Sequence, residues 1–248
     1  MSGVLKYEWV RITTVRSTWI LMALAVLIPA ALALLLAWLV QVNGGGSGQG
    51  PGAQTQSVAL GLLPISAAIL CTIGAAAFGQ EYRHELIRIT LALFPRRTPV
   101  FLGKTVMVAI FAAITAVIAI AIISLAEYLG SMINNQSWST DVVGVPGLMA
   151  IGYVTIFVLI AFALTALTRN QPLGIIVPIV LAVLIEPIIG GIAGAQEWTW
   201  MNWVLPFSNG TAALSANGAE SLGHLAVFGG WFLVLALPAW LLFLRRDA

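Results

Sequence analysis

The most regular feature of this sequence is a series of long apolar runs separated by short polar stretches. A helix rises 1.5 Å per residue, so crossing a hydrocarbon layer of about 30 Å takes roughly 20 apolar residues. Six runs reach that length. The pattern predicts an all-α integral membrane protein whose six transmembrane helices, called spans one to six, cover approximately residues 19–40, 58–78, 105–125, 148–167, 173–195 and 225–244.

The composition favours a single membrane domain over residues 1–248. Of the 248 residues, 60% are hydrophobic and 8% are charged, whereas a soluble domain carries about 25% charged residues. The polar stretches are too short and too poor in charge to cover a separate water-soluble core. We therefore expect one transmembrane domain.

The positions of the basic residues predict the orientation of the chain. Lys and Arg are retained on the cytoplasmic side during insertion. All 11 of them precede span one, follow span two or span four, or follow span six, and the opposite loops, 41–57, 126–147 and 196–223, contain none. Both termini are therefore expected in the cytoplasm. Nine arginines against two lysines are typical of a GC-rich bacterial genome, and so of a bacterial inner (plasma) membrane protein.

Two segments next to the spans have the pattern of interfacial structure. Residues 1–17 place apolar side chains at helical spacing among basic ones, which predicts an interfacial helix on the cytoplasmic leaflet. A basic flank that only sets topology is the alternative. Residues 195–222 contain Trp198, Trp200 and Trp203, whose rings favour the headgroup region, so we expect an extracellular re-entrant or interfacial segment there.

Candidate groups for catalysis or metal binding are few. His84 and His224 have no carboxylate or cysteine at metal-ligand spacing beside them, and no hydrolase or metalloprotease motif occurs. Gly103-Lys104-Thr105 resembles the end of a phosphate-binding loop, but Thr98 stands where that loop needs its first glycine. We predict no catalytic residue, no metal site and no cofactor in this chain, so any ATP it uses is bound by another subunit.

Glu186 is the clearest ionisable residue inside a predicted span. A charged group at the centre of a membrane helix costs roughly 2.5 to 3.5 kcal/mol even on a permissive insertion scale. Pro187 follows it directly. Two interpretations remain open: Glu186 is a polar element of a substrate path or gate, or it is a hydrogen-bonded residue that satisfies a kinked backbone near the proline.

The connection between spans two and three has the most informative pattern. It reads GQEYRHELIRITLALFPRRTPVFLGK over residues 79–104. It predicts a cytoplasmic helix of about 14 residues that ends before Pro95 and combines exposed charges with a broad apolar face. Such a face needs a surface to rest on, either the bilayer or a partner protein.

Two features matter here: the order of these elements, and the string E-Y-R-x-x-x-x-R-x-T-L-A-L-x-P-R-R-x-x-V-x-x-G-K over residues 81–104. In both features the chain resembles the permease subunit of type 2 ABC exporters. The resemblance implies that the region 80–97 is a coupling helix that docks on a cytoplasmic ATPase. Many relatives carry a Gly-Thr or Gly-Ser pair where this chain has Glu85-Leu86. The residues that the resemblance assigns to coupling are Glu81, Tyr82, Arg83, Glu85, Leu86, Ile87, Pro95, Arg96 and Arg97.

The resemblance also implies the partners. Two permeases, identical or homologous, would lie above two ATPase subunits that bind ATP and magnesium. They would move a hydrophobic or amphipathic substrate such as a drug, lipid or peptide outward, along a path lined chiefly by spans one, two and five. Such a chain contacts the lipid bilayer, binds no nucleic acid and is not itself an enzyme. The alternative is a stand-alone membrane protein, such as a secondary transporter or scaffold, although the sequence shows no evident internal repeat and one midplane carboxylate.

Overall fold

The structure is a computed structural model that describes residues 2–42, 51–83, 86–94, 96–133, 144–216 and 218–245. Within these ranges the chain is helical and contains no strand, which confirms the all-α prediction. The α-helices are α1 Ser2–Thr14, α2 Arg16–Val42, α3 Pro51–Arg83, α4 Leu86–Leu93, α5 Arg97–Ile133, α6 Val145–Thr168, α7 Gln171–Val180, α8 Glu186–Ala195, α9 Pro206–Ser215 and α10 Gly218–Arg245.

Six helical stretches are long and apolar enough to cross a membrane. They confirm the six predicted spans and in most cases extend beyond the predicted limits, because each helix continues past its most apolar window. In chain order they are Arg16–Leu39, Leu60–Arg83, Arg97–Met132, Val145–Thr168, Gln171–Ala195 and Gly218–Arg245.

Span four, formed by α6, lies at the centre of the bundle and contacts α3, α5, α7, α9 and α10. At one end of the bundle a ring cluster joins four spans through Phe78, Phe101, Phe162 and Phe243. The centroid of the Phe78 ring lies 5.2 Å from that of Phe162 and 5.4 Å from that of Phe243. Aromatic pairs at such distances contribute packing energy beyond the area that they bury. The cluster therefore fixes the ends of spans two, three, four and six against one another.

Span five is composite and lies at the edge of the bundle. A π-helical turn, Leu181–Ile185, separates α7 from α8, and the Glu186 N–H bonds to the Leu181 carbonyl. Pro187 explains the turn, because a proline ring clashes with the carbonyl four residues earlier and a widened turn relieves that clash. The backbone before Glu186 therefore departs from α-helical geometry as a π-helical turn.

The segments beside the spans are also helical. The chain is helical on both sides of His84 and Glu85, which lie outside the described residues, and α4 ends before Pro95 as predicted. After α8, the chain forms a 3₁₀ turn over Thr199–Trp203 and then α9, which packs on α10 and α6.

Candidate functional site

Four charged side chains meet at the end of the bundle that carries α4. Lys104 Nζ lies 2.7 Å from Glu8 Oε1 and also pairs with Glu81 Oε1. Arg11 contributes Nη1 at 2.6 Å from Glu81 Oε1 and Nη2 at 2.8 Å from Glu8 Oε2. We call these four residues the ion cluster. It links α1 to α3 and α5.

The ion cluster is neutral in sum, and three of its four side chains are buried, while Arg11 is 21% exposed. The Lys104 side chain is fully buried, and Glu8 and Glu81 are exposed by 1% and 2%. Buried charges are tolerated only when they are paired and hydrogen-bonded, and here two acids face two bases. Both bases also donate to the Ala77 carbonyl oxygen, Arg11 at 3.1 Å and Lys104 at 3.3 Å. The arrangement fixes the relative position of three helices.

The local sequence explains why α1 can approach so closely. Glu8 and Arg11 stand three residues apart, which places them on the same helical face. On α5, a Cβ added at Gly103 would lie 2.6 Å from Val4 Cγ1, so an alanine at this contact would force Val4 to shift. The Gly103-Lys104 pair that resembled a phosphate-binding loop is thus accounted for by helix packing and by the ion cluster.

The exposed face of α4 is apolar. Leu86, Ile89 and Leu93 are 44%, 59% and 62% exposed and follow each other at i, i+3 and i+7, so they form one stripe. We call these three residues the α4 face. Ile87 and Thr90 on the opposite side are buried against the bundle. The stripe is therefore presented outward by a helix whose other side is firmly packed.

The predicted coupling residues are divided between surface and interior. Arg83, Leu86 and Arg96 are exposed, as expected for a docking surface. The expectation of exposed charges is wrong for Glu81, whose carboxylate is buried because it pairs with Arg11 and Lys104. Ile87 is also buried. Glu85 and Pro95 lie outside the described residues.

Two further predicted residues tie the segment to other parts of the bundle. The guanidinium of Arg169, in the turn between α6 and α7, lies over the Tyr82 ring at 5.0 Å from its centroid. Arg97 Nη1 donates to the Phe243 carbonyl oxygen at 3.1 Å and to that of Leu244 at 3.2 Å. A cation at the last carbonyls of a helix also interacts favourably with the helix dipole. Arg97 thus connects the start of span three to the end of span six.

Glu186 is 3% exposed and binds the N-terminus of α9. Its Oε1 accepts from the Phe207 N–H at 3.1 Å, and its Oε2 accepts from the Ser208 N–H at 2.6 Å and the Ser208 hydroxyl at 2.9 Å. These are the unpaired donors that every helix leaves in its first turn, and a carboxylate there also meets the positive end of the helix dipole. Glu186 therefore caps a helix that lies twenty residues further along the chain. Its role in a substrate path or gate stays a prediction.

Sequence reasoning missed this cap and the partners of Lys104. The sequence contains one local signal for the cap. Leu205, the residue directly before α9, has no side chain that can cap the helix, so the first turn of α9 needs an acceptor from elsewhere. Glu186, a buried carboxylate without a local partner, can supply that acceptor.

Comparison with known families assigns the class. The chain belongs to the ABC-2 family transporter proteins, because that family's model matches residues 4–185, well over half of the sequence. The protein is thus a membrane permease component of an ABC transporter, a multi-pass membrane subunit that works with ATPase subunits. The match includes the ion cluster and the α4 face and ends one residue before Glu186. No curated protein matches the chain significantly.

Proposed function

We propose that this chain is the permease subunit of an ATP-driven exporter in a bacterial inner membrane, with both termini in the cytoplasm. It pairs with a second permease, identical or homologous, above two cytoplasmic ATPase subunits that hold ATP and magnesium. Its cargo is a hydrophobic or amphipathic molecule moved outward. The observation that carries the proposal is the α4 face, an exposed apolar stripe within the matched family region.

In the proposed exporter, the α4 face is the surface that contacts the ATPase. Three large aliphatic side chains are about half exposed on a helix whose opposite side is packed. Fully burying one such side chain stabilises by about 1.5 to 3 kcal/mol, so covering all three contributes several kcal/mol. The exposed guanidinium groups of Arg83 and Arg96 stand at the two ends of the helix and supply polar contacts at the rim.

The ion cluster supplies the route by which movement of α4 reaches the spans. Glu81 lies five residues before α4 and Lys104 lies in span three, and their pairing joins the two helices that flank α4. Arg11 and Glu8 bring α1 into the same unit. Because buried ion pairs resist separation, a push on α4 by an ATPase displaces α1 and the ends of spans two and three together.

Glu186 forms a second, separate link, between span five and α9. Its two carboxylate oxygens hold the first turn of α9, so a shift of α8 carries α9 with it. In the proposed exporter, this bond links span five, one of the path helices, to the outer segment. In this proposal, the role of Glu186 in the path or gate is to hold α9 in position against span five.

The test separates docking from membrane insertion. Leu86→Ser with Ile89→Ser removes most of the α4 face, and we expect normal membrane levels but loss of the co-expressed ATPase from the purified complex and loss of substrate-stimulated hydrolysis. The matched control is Leu148→Ser with Leu222→Ser, which changes two similarly exposed leucines on α6 and α10. We expect that control to retain the ATPase.

Two outcomes would contradict the proposal. Co-purification of the ATPase at the wild-type yield, with Leu93→Ser added to the first pair, would mean that the α4 face is not the docking surface. Transport by cells that lack every candidate ATPase gene would favour the stand-alone alternative. Glu81 is unsuitable for this test. Because its carboxylate is buried, a substitution there would lower the stability of the fold, and a loss of the ATPase could not then be attributed to docking.

A further inference from the structure

A pocket of about 170 Å³ lies beside the ion cluster, between α1 and the ends of spans one, two and five. Polar atoms form part of its accessible surface, and apolar side chains form the rest. The polar side chains of the lining are those of Arg11, Ser17, Thr18, Thr72, Gln80 and Gln171. Ser17 and Gln80 are exposed, so the pocket is open to the surroundings on their side.

The uncharged polar side chains of this lining have unused hydrogen-bonding capacity. Elsewhere in the protein, Thr90 and Thr165 donate their hydroxyls to the carbonyl oxygen four residues earlier in the same helix. Five lining side chains make no hydrogen bond to any other described residue: Ser17, Thr18, Thr72, Gln80 and Gln171. All five are at least partly exposed, so their hydroxyl and amide groups are available to an occupant.

Gln171, the first residue of α7, is packed directly against span two. A Cβ added at Gly79 would lie 2.7 Å from Gln171 Cγ, so the side chain rests on the backbone of α3. A larger residue at position 79 would displace it. This contact fixes the start of span five beside the pocket.

The pocket offers no free charge to an occupant. Among the described residues of the lining, Arg11 is the only charged one. Its Nη1 lies 2.6 Å from Glu81 Oε1 and its Nη2 lies 2.8 Å from Glu8 Oε2. Because the ion cluster is neutral in sum, an ion that entered the pocket would lose hydration without meeting an unpaired counter-charge. An uncharged polar group avoids that cost and still gains hydrogen bonds.

The pocket lies at the depth of lipid head groups. Trp19, next to the lining residue Thr18, is 54% exposed, and its Nε1 donates to the Thr13 carbonyl oxygen at 2.9 Å. Tryptophan side chains favour the boundary between hydrocarbon and head groups. Leu21 and Ile73 extend the lining along their spans towards the membrane interior. A molecule in this leaflet can therefore place its polar head in the pocket while its tail stays in hydrocarbon.

We propose that this pocket binds the head of an amphipathic molecule, an uncharged head that carries hydroxyl or amide groups. A cavity of about 150 Å³ accommodates benzene, so the pocket suits a head about the size of one six-membered ring. That the occupant is exported cargo rests on the proposed function, whereas the binding itself does not. A resident membrane lipid with a hydroxyl-bearing head offers the same chemistry.

Photolabelling of the purified full-length chain tests the site, in nanodiscs of phosphatidylcholine, whose head carries neither hydroxyl nor amide. Three probes share one alkyl tail with a diazirine next to the head, and they end in an ethanolamide, a carboxylate or a trimethylammonium group. We expect the uncharged ethanolamide to label the peptides that contain Leu21 and Ile73 about tenfold more than either charged probe, a preference that corresponds to one or two hydrogen bonds.

Substitutions of similar size test the polar lining. Thr72→Val with Gln171→Met removes two hydrogen-bonding groups and should bring the three probes to similar labelling. Ala76→Leu, which fills the pocket, should abolish the ethanolamide label. The matched control is Thr211→Val with Gln196→Met, the same exchanges at two exposed positions outside this lining, and it should keep the wild-type preference. Thermal unfolding of each variant shows that a loss of label does not come from a loss of fold.

Equal labelling by the three probes in the wild type, or an unchanged preference in the Thr72 and Gln171 double variant, would overturn the proposal. In the complex with its ATPase, cargo should leave the pocket on addition of ATP, so the ethanolamide label should fall. Label that does not respond to ATP would overturn the assignment to cargo and identify a resident lipid. The binding measurements need no ATPase, so their failure would leave the permease assignment untouched, and loss of the ATPase from the complex would leave the binding result untouched.

Discussion

Replacing Lys104 by methionine removes one charge from the centre of the ion cluster while keeping a side chain of similar length. Glu8 and Glu81 would then share Arg11 alone, so the buried cluster would carry a net charge of −1. Removing one partner of a buried ion pair typically destabilises by about 3 to 5 kcal/mol, because the remaining charge stays buried without compensation. We expect Lys104→Met to lower the free energy of unfolding by that amount.

A second substitution tests whether charge balance is the cause. In Glu81→Gln with Lys104→Met, the Glu8–Arg11 pair at 2.8 Å remains and the cluster is neutral again. We expect the double variant to be more stable than the sum of the two single variants predicts by about 1 to 3 kcal/mol, the range of coupling between residues in contact. Denaturant or thermal unfolding of the purified protein in one detergent measures all four stabilities.

The control is Lys6→Met, an exposed lysine on the same helix α1 that lies outside the ion cluster. It should change the stability by no more than about 0.5 kcal/mol. The reasoning would be refuted if Lys104→Met were as stable as the Lys6 variant, or if the Glu81 and Lys104 effects were additive within about 0.5 kcal/mol.

The remaining predictions concern packing, capping and topology. Gly103→Ala should destabilise by about 1 to 3 kcal/mol by overpacking against Val4, and Val4→Ala should recover most of that loss in thermal unfolding. Glu186→Leu, which leaves the first N–H groups of α9 without an acceptor, should cost about 1 to 3 kcal/mol, whereas Glu186→Gln should cost less, and equal losses would argue against the cap. Cysteine tags at Arg96 and Glu220, in a variant without the native cysteine, should react from opposite sides, and labelling of the Arg96 tag from outside would reverse the orientation.

The parts of the fold that the sequence predicts are those set by the bilayer. A run of about 20 apolar residues is a local property, so the six spans follow from the pattern alone. The partners of individual polar groups are not local. Glu8 meets Lys104 from 96 residues away, and Glu186 meets Phe207 from 21 residues away, and no period in the sequence relates such positions. The exposure of Leu86 follows from its helical position, whereas the burial of Glu81 depends on where α1 and α5 lie.

The 96 residues between Glu8 and Lys104 also set an order for biogenesis. At about 5 to 20 residues per second, roughly 5 to 20 seconds of translation separate the two residues. During that interval Glu8 has Arg11 on its own helix and Glu81 is added before Lys104, but the cluster lacks its second base until Lys104 is made. The first helix of the chain can therefore reach its final place only after span three has entered the membrane. A truncated or stalled chain that ends before Lys104 would expose an unfinished N-terminal helix to quality-control proteases.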